Sequence, residues 1–173
     1  LNGKVAGIMN RAYLLTGGNM GNITDNLSRA AELIERYCGH ITQRSAIYQT
    51  APWGKKEQPA FLNQALEINT ILPAPKLLEN ILTIEKKMGR VRDEKYGPRI
   101  IDIDIIFFNR EIIHSKDLVV PHPEMQNRRF VLEPLHEIAP NYIHPVLRKN
   151  ISRLLEECPD TLPVKKVIDG TER

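Results

Sequence analysis

The predicted elements run strand, helix, strand, strand, helix, strand. This order points to an α+β fold, a ferredoxin-like βαββαβ antiparallel sheet with helices on its faces and a C-terminal helical extension. Three observations carry the expectation. Two segments before residue 90 repeat apolar residues at helical spacing, the segments between them read as extended, and proline-broken helical sequence follows residue 123. At 173 residues, 42% hydrophobic and 26% charged, the chain has the size and composition of one globular domain.

Each element has its own signal. Tyr13 to Thr16 is a short apolar run, and Gly17, Gly18 and Gly21 after it suggest a strand leaving into a loop. Leu27, Ala30, Ala31, Ile34 and Cys38 form one helical stripe, with Asn22 or Thr24 as its N-cap and Gly39 as its C-terminal glycine. Ile41 to Thr50 reads as the second strand, residues 51–59 as a loop, and Phe61 to Leu72 as the third strand, ended by Pro73 and Pro75. A second helix is expected from Lys76 to Met88, striped by Leu77, Ile81, Ile84 and Met88 and stopped by Gly89. Ile100 to Phe108 is the strongest strand signal, and Asn109-Arg110 a turn into Glu111 to His114. Leu154 and Leu155 mark a last short helix. One domain over residues 1–173 is expected, with residues 1–10 as an extra N-terminal segment and 159–173 as a weakly patterned tail.

Composition excludes several classes. No apolar run approaches the length of a membrane span, and Leu1 to Arg11 lacks the apolar stretch of a signal peptide. Cys38 and Cys158 are spaced neither as a zinc site nor as a redox pair, so two reduced thiols in a cytoplasmic protein are expected. The net charge of +3 is unevenly spread. Residues 86–99 carry +4 and the rest of the chain sums to −1, which suits a local anionic ligand better than a long polyanion.

Asp102-Ile103-Asp104 is the sharpest chemical feature. Side chains alternate across a strand, so both carboxylates face one way, with Cα atoms about 6.6 Å apart, and Ile101, Ile103 and Ile105 face the other. An exposed sheet face would also alternate in this way. Yet Asp is disfavoured in strands, and two hard oxygen donors at this spacing suit Mg²⁺ completed by substrate phosphates. The basic stretch Gly89 to Arg99 leads straight into the pair, and guanidinium groups beside a metal-binding acidic pair are what phosphoryl transfer needs.

Other features are open to two readings. The glycines at 17–21 match neither G-x-G-x-x-G nor the P-loop, and suit a turn or a phosphate-binding role. His122, held between Pro121 and Pro123 and followed by Arg128, Arg129 and Phe130, suits a structural or a catalytic histidine. Phe61 and Asn63, at i and i+2 on a strand, suit core packing or a planar heterocycle.

Taken together, Gly97-Pro98-Arg99-Ile100-Ile101-Asp102-Ile103-Asp104-Ile105, Gln58 to Asn63, Gly89-Arg90-Val91-Arg92, and Val120-Pro121-His122 with Asn127 to Phe130 resemble, in order from about Tyr13 to Pro140, the 6-hydroxymethyl-7,8-dihydropterin pyrophosphokinase family. The resemblance implies transfer of pyrophosphate from ATP to the hydroxymethyl group of the dihydropterin, with release of AMP, in folate biosynthesis. It implies two Mg²⁺ ions held by Asp102 and Asp104. It further implies catalytic contacts from Arg90 and Arg99 to the triphosphate, and a nucleotide side lined by Glu85, His122 and Arg128. Asn63 would read the pterin edge, Phe61 and Phe130 would sandwich the ring, and Thr50 and Trp53 would add contacts. Phe61 stands where the family often has tyrosine, Tyr96 where it has tryptophan, Pro123 where it has tyrosine, and Asp93 where it has a cation. A monomer acting on small molecules, without nucleic acid or membrane, is expected.

Two alternatives share the fold or the motif. A ferredoxin-like single-stranded RNA-binding module would use the basic loop with Tyr96, Phe107 and Phe108, but the RNP1 pattern is absent. A metal-dependent nucleotidyltransferase would use the same Asp-x-Asp and leave Phe61, Asn63 and Phe130 unexplained.

Overall fold

The computed structural model describes residues 7–51, 57–90 and 98–167. In chain order it contains β1 (Asn10–Gly18), α1 (Ile23–Tyr37), β2 (His40–Arg44), β3 (Tyr48–Thr50), β4 (Phe61–Thr70), α2 (Ala74–Lys87), β5 (Asp102–Phe108), β6 (Ile113–His114) and β7 (Val119–Val120). A 3₁₀ turn (Met125–Asn127), α3 (Arg129–Ile138), α4 (Ile151–Glu156) and β8 (Val164–Lys166) follow. The main sheet runs β5-β1-β4-β3-β8, with β2 also on β4, and every pairing in it is antiparallel. Among the described residues no helix is long and apolar enough to cross a membrane.

Alternation along the strands divides the core in two. Leu14, Ile68, Ile103 and Ile105 pack with Leu27 and Ile34 of α1 and Leu77 and Ile81 of α2. Their neighbours Leu15, Ala65, Ile106 and Phe107 pack with Leu132 and Leu135 of α3 and Ile151 of α4. Burying one such aliphatic side chain is worth about 1.5–3 kcal/mol, so strand register is strongly specified. A one-residue slip would exchange the two sets.

The local chemistry explains where elements depart from expectation. Of the two N-cap candidates for α1, Asn22 serves: its side chain accepts from the Asp25 N–H at 3.2 Å. Gly39 follows the C-cap Cys38, and a β-carbon there would lie 2.2 Å from the Asn69 carbonyl oxygen, so it permits close approach to β4. The expected second strand is two strands. Ser45 interrupts it, with its hydroxyl accepting from the Ala65 N–H and donating to the Ala46 carbonyl, so a side chain takes over part of the ladder. Helix α2 begins at Ala74 rather than Lys76, because Pro73 is its N-cap and Pro75 sits in the first turn, where a missing N–H costs nothing. The weakly patterned tail supplies β8, a three-residue edge strand held by backbone pairing to β3.

Candidate active site

Strand β5 lies at the sheet edge beside β1, with Asp102 opposite Gly17 and Asp104 opposite Leu15. Ile101, Ile103 and Ile105 enter the core under α1 and α2, which turns both carboxylates to the other face, as the alternation predicts. Asp102 is gripped twice. Its Oδ1 is 2.7 Å from Arg90 Nη1, and its Oδ2 accepts from Arg99 Nη1 at 2.6 Å. Arg90 also donates to Glu85 of α2, which is 3% exposed and accepts the Ile103 N–H at 3.0 Å. The Glu85 carboxylate therefore ties the end of α2 to β5 and holds Arg90 over the aspartates.

Electrostatics separate the two aspartates. Burial pushes the Asp104 carboxyl up to about 7, and the Asp102 and Glu85 carboxylates push the same way, against Arg90 and Arg99. Burial likewise raises Glu85, opposed by Arg90. Burial would lower the Arg90 guanidinium, but the Asp102 and Glu85 carboxylates outweigh it and raise it. Asp102 is thus neutralised by two arginines, while the charge on Asp104 is under-compensated. Two hard oxygen donors, one of them short of a counter-charge, are a donor set that Mg²⁺ fits. Among the described residues no cluster of three or more His, Cys, Asp or Glu is placed to hold a metal. Phosphate or water oxygens would have to complete any shell begun by Asp102 and Asp104.

The neighbouring strands supply a second kind of surface. Asn63 pairs across from Gly17 and from Tyr48, and Phe61 from Thr50. Phe61 and Asn63 share a strand face, and Asn63 and Thr50 are both buried. Phe130 rises from the first turn of α3, with the Arg128 guanidinium 6.0 Å from its ring centroid. Gly17 and Gly18 belong to β1 and form neither a turn nor a phosphate loop. A β-carbon on Gly18 would lie 2.5 Å from the Ile100 carbonyl oxygen, so the glycine lets the strand pass under the Arg99 segment.

His122 is fixed by its backbone, whose N–H donates to the Ile106 carbonyl of β5 at 3.0 Å. Its Nδ1 accepts from the Glu124 N–H at 3.3 Å, leaving Nε2 as the protonated nitrogen of the neutral ring. Burial, reinforced by Arg128, holds its pKa below the ordinary histidine value.

The acidic, basic, aromatic and amide groups of the site meet in one cavity of about 500 Å³. Thr50, Phe61, Asn63, Glu85, Arg90, Arg99, Asp102, Asp104, His122, Arg128 and Phe130 are brought together there. Trp53 lies outside the described residues, as do Arg92, Asp93 and Tyr96.

Sequence reasoning missed two sets. Leu78, Leu82, Asp117, Leu118 and Val119 line the cavity from α2 and the β6–β7 hairpin, and in sequence they look like ordinary helix and strand residues. Asn19, 1% exposed, knots three segments. Its Nδ2 donates to Gln58 Oε1 and the Pro59 carbonyl, its Oδ1 accepts from the Arg99 N–H, and its own N–H donates to the Arg99 carbonyl. Its one signal was an amide side chain directly after two glycines.

The RNA-binding alternative loses its aromatic face. Phe107 and Phe108 are 1% and 3% exposed, one in each core, and offer no open surface to bases.

Comparison with known proteins is consistent with this geometry. Residues 13–140 match the family described as 7,8-dihydro-6-hydroxymethylpterin-pyrophosphokinase (HPPK). The chain is similar to the 2-amino-4-hydroxy-6-hydroxymethyldihydropteridine pyrophosphokinases of Synechocystis and Bacillus subtilis. The first is 40% identical, covering 90% of this chain and 80% of that protein; the second is 45% identical, covering 75% and 78%. It is also 42% identical to the folic acid synthesis protein FOL1 of Dictyostelium discoideum over 87% of this chain, but spans only 23% of that protein's length. Among solved structures, Plasmodium falciparum HPPK-DHPS wild type with pteroate superposes with a TM-score of 0.73 at 20% identity, covering 87% of this chain and 44% of that one. That likeness bears on the fold alone.

Proposed function

The chain belongs to the 7,8-dihydro-6-hydroxymethylpterin-pyrophosphokinase family, and from that premise we propose that the cavity described above is where it carries out the family's reaction. That reaction transfers the pyrophosphoryl group of ATP to the hydroxymethyl group of 6-hydroxymethyl-7,8-dihydropterin, in folate biosynthesis. The hydroxymethyl oxygen forms a bond to the β-phosphorus and the bond from that phosphorus to the α-phosphate oxygen breaks. AMP leaves and the alcohol proton is released. The supporting observation is the meeting, in one cavity, of an Asp102–Asp104 pair flanked by Arg90 and Arg99 with a slot lined by Phe61, Asn63, Thr50 and Phe130.

In this reading Asp102 and Asp104 would hold the two Mg²⁺ ions, which when bound would supply positive charge to neutralise the phosphates. Arg90 and Arg99 leave Asp102 for the phosphate oxygens as these arrive, since guanidinium forks bind phosphate and carboxylate alike. Glu85 keeps Arg90 aimed into the cavity. His122 and Arg128 line the nucleotide side, with Leu78, Leu82 and Leu118 as apolar walls for the base. Asn63 reads the pterin edge with its amide, and Phe61 and Phe130 stack on the two faces of the ring. Trp53 belongs to the pterin set by resemblance alone.

Most of the rate enhancement then comes from alignment and charge neutralisation, because phosphoryl transfer asks little covalent work of the protein. Among the described residues one chain supplies the groups of the slot and the acidic pair, which supports our reading of a monomer acting on small molecules; a cytoplasmic location belongs to the same proposal. The sheet order, with two helices on one face, supports the ferredoxin-like assignment. A nucleotidyltransferase would leave the aromatic–amide slot without a task. Incubation with ATP, Mg²⁺ and the dihydropterin should yield AMP and the pterin diphosphate in equal amounts; pyrophosphate release instead would contradict the assignment.

A further inference from the structure

We propose that the segment from Asp160 to Lys166 is a strap that sets the spacing between the two walls of the pterin slot, with Asp160 as its positioning residue. The inference rests on the slot assigned above.

One wall is the first turn of α3, which carries Phe130. Its N-cap position is Arg128, whose side chain makes no capping hydrogen bond. The cap comes instead from 31 residues downstream. Asp160, 8% exposed, accepts the Arg129 N–H on Oδ2 at 3.0 Å and the Leu162 N–H on Oδ1 at 2.9 Å. Arg129 completes the clasp, its Nε donating to the Asp160 carbonyl at 3.1 Å and its Nη1 to Glu133 at 3.1 Å. Arg128 and Phe130 line the cavity while the residue between them is bound to the strap. A buried carboxylate survives because it is paired in this way.

The other wall is β3 with β4. Strand β8 pairs with β3, placing Val164 opposite Thr50 and Lys166 opposite Tyr48, and β3 in turn sets Thr50 opposite Phe61. The Val167 N–H extends the pairing to the Ile47 carbonyl at 2.8 Å. Lys166 reaches back to α3, 2.9 Å from Glu137 Oε1, and the other Glu137 oxygen accepts the Ala46 N–H. The segment therefore grips α3 at the start through Asp160 and near its end through Lys166. Between these grips it is stitched to the strand that carries Thr50. Arg90, Arg99 and His122 hang on α2 and β5 and do not depend on it.

The test measures binding rather than turnover. Dihydropterin affinity is determined calorimetrically with a non-hydrolysable ATP analogue and Mg²⁺ present, for the wild type, Asp160→Ala, Asp160→Asn and Lys166→Glu, with melting curves for each. Loss of the cap in Asp160→Ala should weaken pterin binding about tenfold. The ATP analogue keeps Arg90, Arg99 and His122 and shares only Arg128 with the strapped turn, so its affinity should fall by less than that of the pterin in the same variant. Asp160→Asn keeps one acceptor oxygen and should bind within about threefold of wild type. Lys166 is more than half exposed, so Lys166→Glu should fold normally and still weaken pterin binding about threefold by repelling Glu137. A wild type that fails to bind pterin overturns the slot and the strap together. A wild type that binds, with Lys166→Glu binding equally well and Asp160→Ala too wherever it folds, overturns the strap alone, whatever the melting temperatures.

Discussion

Asn63 fills the space that a β-carbon on residue 17 would need: an ideal Cβ there would lie 2.1 Å from Asn63 Oδ1 and 3.2 Å from the Leu62 carbonyl oxygen. Glycine at 17 is thus what allows β1 to run beside a strand that turns an amide into the cavity. Gly17→Ala should push the Asn63 side chain from its place. Pterin affinity should fall about tenfold or more, in line with losing a well-placed polar contact, while the ATP analogue binds as before. Titrating both ligands against the variant checks this; unchanged pterin affinity would mean that Asn63 does not read the ring.

Phe61 comes from β4 and Phe130 from α3, and if they form the proposed slot their truncation should act alike. Phe61→Ala or Phe130→Ala should weaken pterin binding by about 1–3 kcal/mol through lost burial and stacking, with little change for the nucleotide. Variants that melt early yet bind pterin normally would make these rings core residues only.

His122 gives the site a pH signature. Burial and Arg128 lower its folded-state pKa below its unfolded value of 6.5. Its contribution to stability is therefore present above about pH 6.5 and lost as pH falls through the depressed folded value. The gap in melting temperature between wild type and His122→Gln should accordingly shift against the wild type as pH drops from 7 to 5. Parallel melting curves across that range would contradict the depressed value.

Most of the sheet and the two helices on one of its faces, α1 and α2, could be read from periodicity, because burial dictates which side chains alternate and which recur every three or four residues. The acidic pair was legible for the same reason: alternation forces Asp102 and Asp104 onto one face whatever the rest of the chain does. What escaped depends on long-range partners. Ser45 breaks a strand only because Ala65 lies opposite, β8 pairs through backbone groups that leave no side-chain pattern, and Asn19 matters through Gln58, Pro59 and Arg99. The apolar end of the cavity was hidden for another reason, since Leu78, Leu82 and Leu118 carry the same signal whether they line a core or a ligand.

The two aspartates should differ in stability when mutated, although both are assigned to the metal. Asp104 carries a charge that its surroundings disfavour, so Asp104→Asn should hold or raise the melting temperature at pH 7.5 without metal. Asp102 is paired with Arg90 and Arg99, so Asp102→Asn should lower stability by on the order of 1–2 kcal/mol by leaving partly buried guanidinium groups under-compensated.

The most direct measurement is AMP production from ATP and the dihydropterin by Asp102→Asn and Asp104→Asn, with Mg²⁺ titrated in each. Asparagine keeps the shape but removes a charge from the place where phosphate charge must be balanced. Turnover should fall by on the order of a hundredfold to ten-thousandfold, with higher Mg²⁺ needed for what remains. Near-normal turnover in both variants, at ordinary Mg²⁺, would contradict the account, for the Asp-Ile-Asp strand would then be a sheet face and not the centre of the chemistry.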